Sequence, residues 1–201
     1  MQMEGQQLIP APQNEVWEAL NDPEILKKSI PGCETVEKTS NTEFQASLIA
    51  KFGPVKAKFK GHVTLSDIDA PNGYTLTGEG KGGAAGFGKG EAKVSLEQQE
   101  GQTLLTYSVN AKVGGKLAQI GSRLVDSAAK KMAQDFFKAF SENVGSSNDE
   151  ASSGEDSADA ISPLSTEINA KEPTPQTSNK NNLIYWGAAL VLILLAVYAL
   201  N

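Results

Sequence analysis

One cysteine, Cys33, and one histidine, His62, are all that the 201-residue chain contains of either type. A single thiol cannot close an intrachain disulfide and agrees with a reducing compartment. One residue of each kind is also too few for a structural zinc site. Cys33 follows Pro31-Gly32 with no adjacent cation to lower its pKa, which reads as a structural thiol rather than a reactive one. The opening MQMEGQQLIP has neither a basic n-region nor an apolar h-region, so a signal peptide is not expected. An excess of positive charge is lacking too, since the net charge is −6, so nothing in the composition points to nucleic acid.

Long apolar runs are scarce, with one exception. Residues Leu183 to Leu200, LIYWGAALVLILLAVYAL, carry no charge. Eighteen residues at ~1.5 Å each give roughly 27 Å, close to the ~30 Å hydrocarbon core of a bilayer. Tyr185, Trp186 and Tyr198 sit near its ends, where aromatic side chains favour the interface. A single-pass transmembrane anchor over 183–201 is therefore expected. Lys180 on its N-terminal side places the preceding chain in the cytoplasm by the positive-inside tendency.

Before this run, residues 145–182 are rich in Ser, Asn, Asp, Glu, Thr and Pro without apolar periodicity, and are expected to be a disordered linker. Seven acids against Lys171 and Lys180 give the linker a charge of −5. Residues 1–144 hold 16 basic and 17 acidic groups and are nearly neutral, so the low pI belongs to the linker. As a flexible coil, that linker would span roughly 30–35 Å.

Residues 1–144 suit one domain with a real core. Two short helices are expected around Asn14–Leu20 and Pro23–Ser29, bounded by Asn21-Asp22-Pro23 and Pro31-Gly32. The period then becomes two. From Val55 to Ser66, Val55, Ala57, Phe59, Gly61, Val63 and Leu65 share a dry face, while Lys56, Lys58, Lys60, His62 and Thr64 share a wet one. Further strands are expected near 34–38, 43–51, 74–82, 86–98 and 103–113, joined by short turns and hence antiparallel. From Gly115, a helix of nearly 30 residues carries a stripe of Leu117, Ile120, Leu124, Ala128, Met132, Phe136 and Phe140. The sum is an α+β helix-grip domain: a curved antiparallel sheet wrapped on a long C-terminal helix.

Catalytic motifs are thin. Gly78, Gly80 and Gly83 satisfy G-x-G-x-x-G, but a strand pattern follows where a phosphate-binding helix would have to start. Lys89-Gly90 lacks the Ser/Thr of a P-loop, and Asp67 and Asp69 beside Pro71-Asn72-Gly73 read as solvated turn residues. His62 points away from the interior, and no inward base pairs with a nucleophile. What stands out is Gly78–Gly90, with seven glycines and two alanines; these either bend strands or leave room for a ligand between sheet and helix.

Three segments carry a family resemblance: Ile30-Pro-Gly-Cys33, Gly53-Pro-Val-Lys-Ala-Lys-Phe-Lys-Gly61 and Val113-Gly-Gly-Lys-Leu-Ala-Gln-Ile-Gly-Ser-Arg-Leu124. In this order, over residues 1–144, the chain resembles the G-subunit family of carbon monoxide dehydrogenase. That resemblance implies a START-like helix-grip fold, often followed by a polar linker and a hydrophobic segment. It implies a non-catalytic accessory role: recruiting a molybdenum hydroxylase, such as carbon monoxide dehydrogenase, to the cytoplasmic membrane and linking it to the quinone pool. It does not fix carbon monoxide as the substrate.

Joined to the residue reading, this suggests an oily cavity holding an isoprenoid quinone or lipid, whose apolar burial is worth about 25 cal/mol per Å². Alternation and helical phase nominate Phe44, Leu48, Phe59, Val63, Phe87, Ile120 and Leu124 as its wall, and the short helices with Trp17 and Ile25 as its lid. Two other readings stand: a pure tether with a filled core, and a cyclase or hydrolase using an inward group such as Glu79 or Tyr107.

Overall fold

The structure, a computed structural model, describes residues 1–145. The predicted linker and transmembrane run lie outside the described residues. Among the described residues no helix is long and apolar enough to cross a membrane.

Seven strands form one sheet: β1 (Gln2–Ile9), β2 (Cys33–Lys38), β3 (Glu43–Phe52), β4 (Val55–Asp69), β5 (Gly73–Lys81), β6 (Phe87–Gln99) and β7 (Gln102–Gly114). Their order is β1-β7-β6-β5-β4-β3-β2, antiparallel throughout. Between β1 and β2 lie α1 (Gln13–Leu20) and α2 (Pro23–Ser29); after β7 come α3 (Lys116–Gln119) and α4 (Ser122–Gly145). The order follows from the connections. Strands β2 to β7 are joined by short turns and so lie next to one another, while β1 pairs with β7 because α1 and α2 carry the chain across the sheet.

Local chemistry sets the ends. Asp22 caps α2 by accepting from the backbone N–H of Glu24 at 2.7 Å and of Ile25 at 3.4 Å, with Pro23 in the first turn. The alternation read in β4 is realised: Phe59, Gly61, Val63 and Leu65 are buried, while Lys56, Lys58 and Lys60 are exposed. Helix α4 lays Val125, Ala129, Met132, Ala133, Phe136, Phe137, Phe140 and Val144 inward.

The predicted 30-residue helix is corrected in two respects. It is broken at Ile120–Gly121, where Gly121 takes φ +91°, and α4 restarts at Ser122. Its inward stripe also differs: Val125, about three turns before Phe136, is buried, and Leu124, about a third of a turn out of phase, is 47% exposed.

Candidate ligand-binding site

The sheet, α4 and the α1–α2 pair enclose an interior space. It is lined by Leu20 and Leu26 from the short helices, Phe44, Val63, Leu76, Val94 and Leu105 among the sheet residues, and Phe136 from α4. Its volume is about 40 Å³. At ~10–15 Å³ per water position this is room for about three waters, and an apolar wall of this kind holds water poorly.

Of the lining residues, only Tyr74 brings a polar side-chain atom, and burial raises its phenol pKa. Trp17 leans on Tyr74 with ring centroids 5.5 Å apart, so α1 is packed onto the cavity wall by an aromatic pair.

Hydrogen bonds fasten the roof at two places. The Gln13 amide donates to the Leu96 carbonyl at 3.0 Å and to Asn72 Oδ1 at 3.2 Å, tying the start of α1 to the β4–β5 turn and to β6. Asn143 Nδ2 donates to Ser29 Oγ at 3.1 Å, and that hydroxyl donates to the Ile25 carbonyl at 2.7 Å, tying α2 to α4.

The predicted wall is partly realised. Phe44 and Val63 line the cavity. Leu48 and Phe59 are fully buried but lie outside its lining; Phe59 meets Phe52 edge-on at 5.7 Å and packs over Gly82. Ile120 is half-buried against the core. Phe87, at 41% exposure, and Leu124 are placed at the surface instead. For Leu124 the reason is helical phase: steps of four residues back from Phe136 drift off the ~3.6-residue repeat of α4. For Phe87 it is strand parity: Gly88, Ala92, Val94 and Leu96 of β6 face inward, and Phe87 falls on the other face, where its ring packs over Gly114 of β7. The predicted lid residues Trp17 and Ile25 are half-buried, and Leu20 and Leu26 of the same helices reach the cavity. Alternation and helical phase identify inward residues only when parity and period are kept, and they cannot say which of those residues border a void.

Neither candidate for inward acid or base chemistry suits that role. Glu79 lies on the outer face opposite His62 and Lys89. Tyr107 is buried and stacked on Phe137 at 5.9 Å, but burial raises its phenol pKa and its hydroxyl has no hydrogen-bond partner. An unpaired buried hydroxyl costs about 1–3 kcal/mol. Tyr107→Phe is therefore expected to stabilise the domain by about 1 kcal/mol, read as a higher Tm. A lower Tm would show that the hydroxyl is satisfied.

A larger depression, about 510 Å³, lies on the outer face of the sheet, bordered by His62, Glu79, Lys89, Glu91 and Lys112. It is open to solvent and ringed by charged side chains, so an apolar molecule there would stay wet. The small interior cavity is thus the better ligand site despite its volume. Cys33 is half-buried, and burial raises its thiol pKa against the lowering effect of Lys27, in keeping with a structural thiol.

Comparison with known proteins places this geometry. The family model CoxG, described as the G subunit of carbon monoxide dehydrogenase, matches residues 5–145. The crystal structure of a conserved protein from Geobacillus kaustophilus is 34% identical, with 73% of this chain and 97% of that one covered and a TM-score of 0.69. A START superfamily protein from Mycobacterium smegmatis is 12% identical, covering 72% of this chain and 97% of that one at TM-score 0.55. The Zhui aromatase/cyclase from Streptomyces sp. R1128 is 14% identical, covering 76% and 98% at TM-score 0.54. The last two likenesses show a START-like fold and nothing of substrate. No curated protein matches significantly.

Proposed function

Because the chain belongs to the CoxG family of carbon monoxide dehydrogenase, we propose that it is a ligand-binding accessory protein that loads an isoprenoid quinone from the bilayer and presents it to a molybdenum hydroxylase of the carbon monoxide dehydrogenase type. Residues 183–200 anchor it in the membrane, residues 145–182 form the tether, and the domain of residues 1–144 works on the cytoplasmic side. The protein supplies no chemistry of its own; the enzyme it serves does the oxidation.

The observation that carries this reading is the apolar cavity roofed by two short helices rather than by the sheet itself. A quinone ring is larger than the present volume, so loading displaces α1–α2 and breaks the Gln13 and Asn143 hydrogen bonds. That motion would be driven by apolar burial at about 25 cal/mol per Å².

The small volume favours a second reading, a docking adaptor whose core stays filled. Mass spectrometry of the full chain purified from native membranes separates the two. The carrier reading expects bound quinone in the wild type, and at least about ten-fold less in Leu76→Phe, which puts more bulk on the cavity wall at a strain cost of about 1–3 kcal/mol. Wild-type protein with no quinone, and none taken up from quinone-loaded liposomes, leaves the adaptor.

A further inference from the structure

Charge is distributed very unevenly over the nearly neutral domain. Residues 49–56, 80–90 and 111–125 contain seven of its 16 basic groups and none of its 17 acidic ones.

The fold brings these three segments to one end. At the β3–β4 turn, a Cβ on Gly53 would touch Leu124 at 3.5 Å. In the β5–β6 connection, Gly86 lies against Gly114 and Gly115 at the β7–α3 junction. Lys51, Lys56, Lys116 and Arg123 are exposed here, and they take part in none of the ion pairs among the described residues. Lys51 and Lys56 sit directly opposite each other across the ladder, and so do Lys89 and Lys112. Like charges in such pairs are destabilising, so the arrangement works against the fold locally. The positive end of the α4 dipole adds to the same field. The acids beside it are Glu79 and Glu91, which share the outer depression with Lys89 and Lys112, Asp126 next in the chain, and Asp135, which borders the depression at Leu124 and is paired with Lys131 at 2.8 Å.

Apolar side chains are exposed among the cations. Ile49, Phe87 and Leu124 are three of the five large hydrophobic side chains exposed among the described residues. Ile49 and Leu124 border a shallow depression of about 420 Å³ between β3 and α4.

Cations outside any ion pair, set around exposed apolar side chains, match the chemistry of an anionic lipid surface: phosphates for the lysines and arginine, the acyl boundary for Leu124 and Phe87. We propose that this end of the domain docks on an anionic bilayer. The apolar run at 183–200, long enough to span a bilayer, would keep the domain within reach of one. The docking face rests on charge and exposure and does not depend on what the interior cavity holds.

The test uses residues 1–145, because the Geobacillus protein, covered over 97% of its length by 73% of this chain, shows that the fold stands without a C-terminal extension. This fragment is expected to co-sediment with phosphatidylcholine vesicles containing phosphatidylglycerol, not with phosphatidylcholine alone, and to be released by high salt. Lys51→Glu/Lys56→Glu/Arg123→Glu should weaken binding by about ten-fold or more, and Leu124→Ser by roughly three-fold, with Tm unchanged. Equal sedimentation of wild type and the triple variant would overturn the proposal, as would equal loss from reversing Lys27, Lys28 and Lys138 elsewhere on the domain. Binding of the wild type to an acidic protein but not to the anionic vesicles would also overturn it. Quinone retention by the triple variant is measured alongside; retention without vesicle binding would leave the carrier reading intact, and vesicle binding without retention would leave the docking face intact.

Discussion

Gly86→Ala should destabilise the domain by on the order of 3–5 kcal/mol, against about 1 kcal/mol for Gly101→Ala. Both glycines have positive φ, +114° and +83°. Gly101 has nothing within 4 Å of where a Cβ would stand, so its substitution reports the conformational cost alone. At Gly86 the Cβ would overlap the Gly114 carbonyl oxygen and come within 3.0 Å of the Gly115 Cα. These are backbone atoms that cannot rotate away. Gly86 also closes the turn before β6, its carbonyl accepting from the Gly82 N–H at 2.9 Å. Relief therefore requires the β5–β6 connection to separate from the β7–α3 junction. For a domain of this size the loss should lower Tm by roughly 8–15 °C, and chemical denaturation of the two variants side by side gives the comparison. Equal losses would mean that the Gly86 contact is looser than described.

This contact also decides what the glycine-rich segment does. Gly78–Gly90 could be read in the sequence either as a bending device or as room for a ligand. At Gly82, Gly86 and Gly90 the missing side chains are replaced by the Phe59 ring, the Gly114 backbone, and Asn110 with Ala111, respectively. At these three positions the space on the glycine's side is occupied by protein, while Gly78 and Gly90 also border the outer depression of about 510 Å³. A count of glycines records absent side chains, and it cannot record what the rest of the chain places there, because those neighbours are distant in sequence. The strands were legible because a two-residue period is local, as β4 shows with Phe59, Val63 and Leu65 inward and the lysines outward. The long helix was legible for the same reason, but its phase was not. Steps of four residues drift off the ~3.6-residue period, and carrying them back from Phe136 selects Leu124 in place of Val125, while Gly121-Ser122 separately ends α3 and starts α4. The two misplaced wall residues, Phe87 and Leu124, both lie next to a glycine contact made by tertiary packing, and both belong to the exposed apolar set of the basic end.

Phe136→Ala should cost about 3–5 kcal/mol and supply the control against which the two readings of the interior are separated. The Phe136 ring is buried between Phe137 at 5.3 Å and Phe140 at 5.4 Å, and it borders the cavity. Removing it joins the space of a ring to the existing 40 Å³. An apolar cavity of that enlarged size stays dry and accepts a small aromatic molecule. Benzene should therefore recover part of the lost Tm in the variant whichever reading holds, since any ligand that binds only the folded state stabilises it, by about 2.7 kcal/mol at a hundred times its Kd. The wild type is where the readings part. If α1–α2 open to load a quinone, a short-tailed quinone raises the Tm of the wild-type domain, and the gain is lost in Leu76→Phe. If the core is simply filled, the wild type shows no gain with quinone while the benzene response of Phe136→Ala persists. The variant thus serves as the internal control: it shows that the assay detects an occupied interior, so that silence from the wild type counts against the carrier.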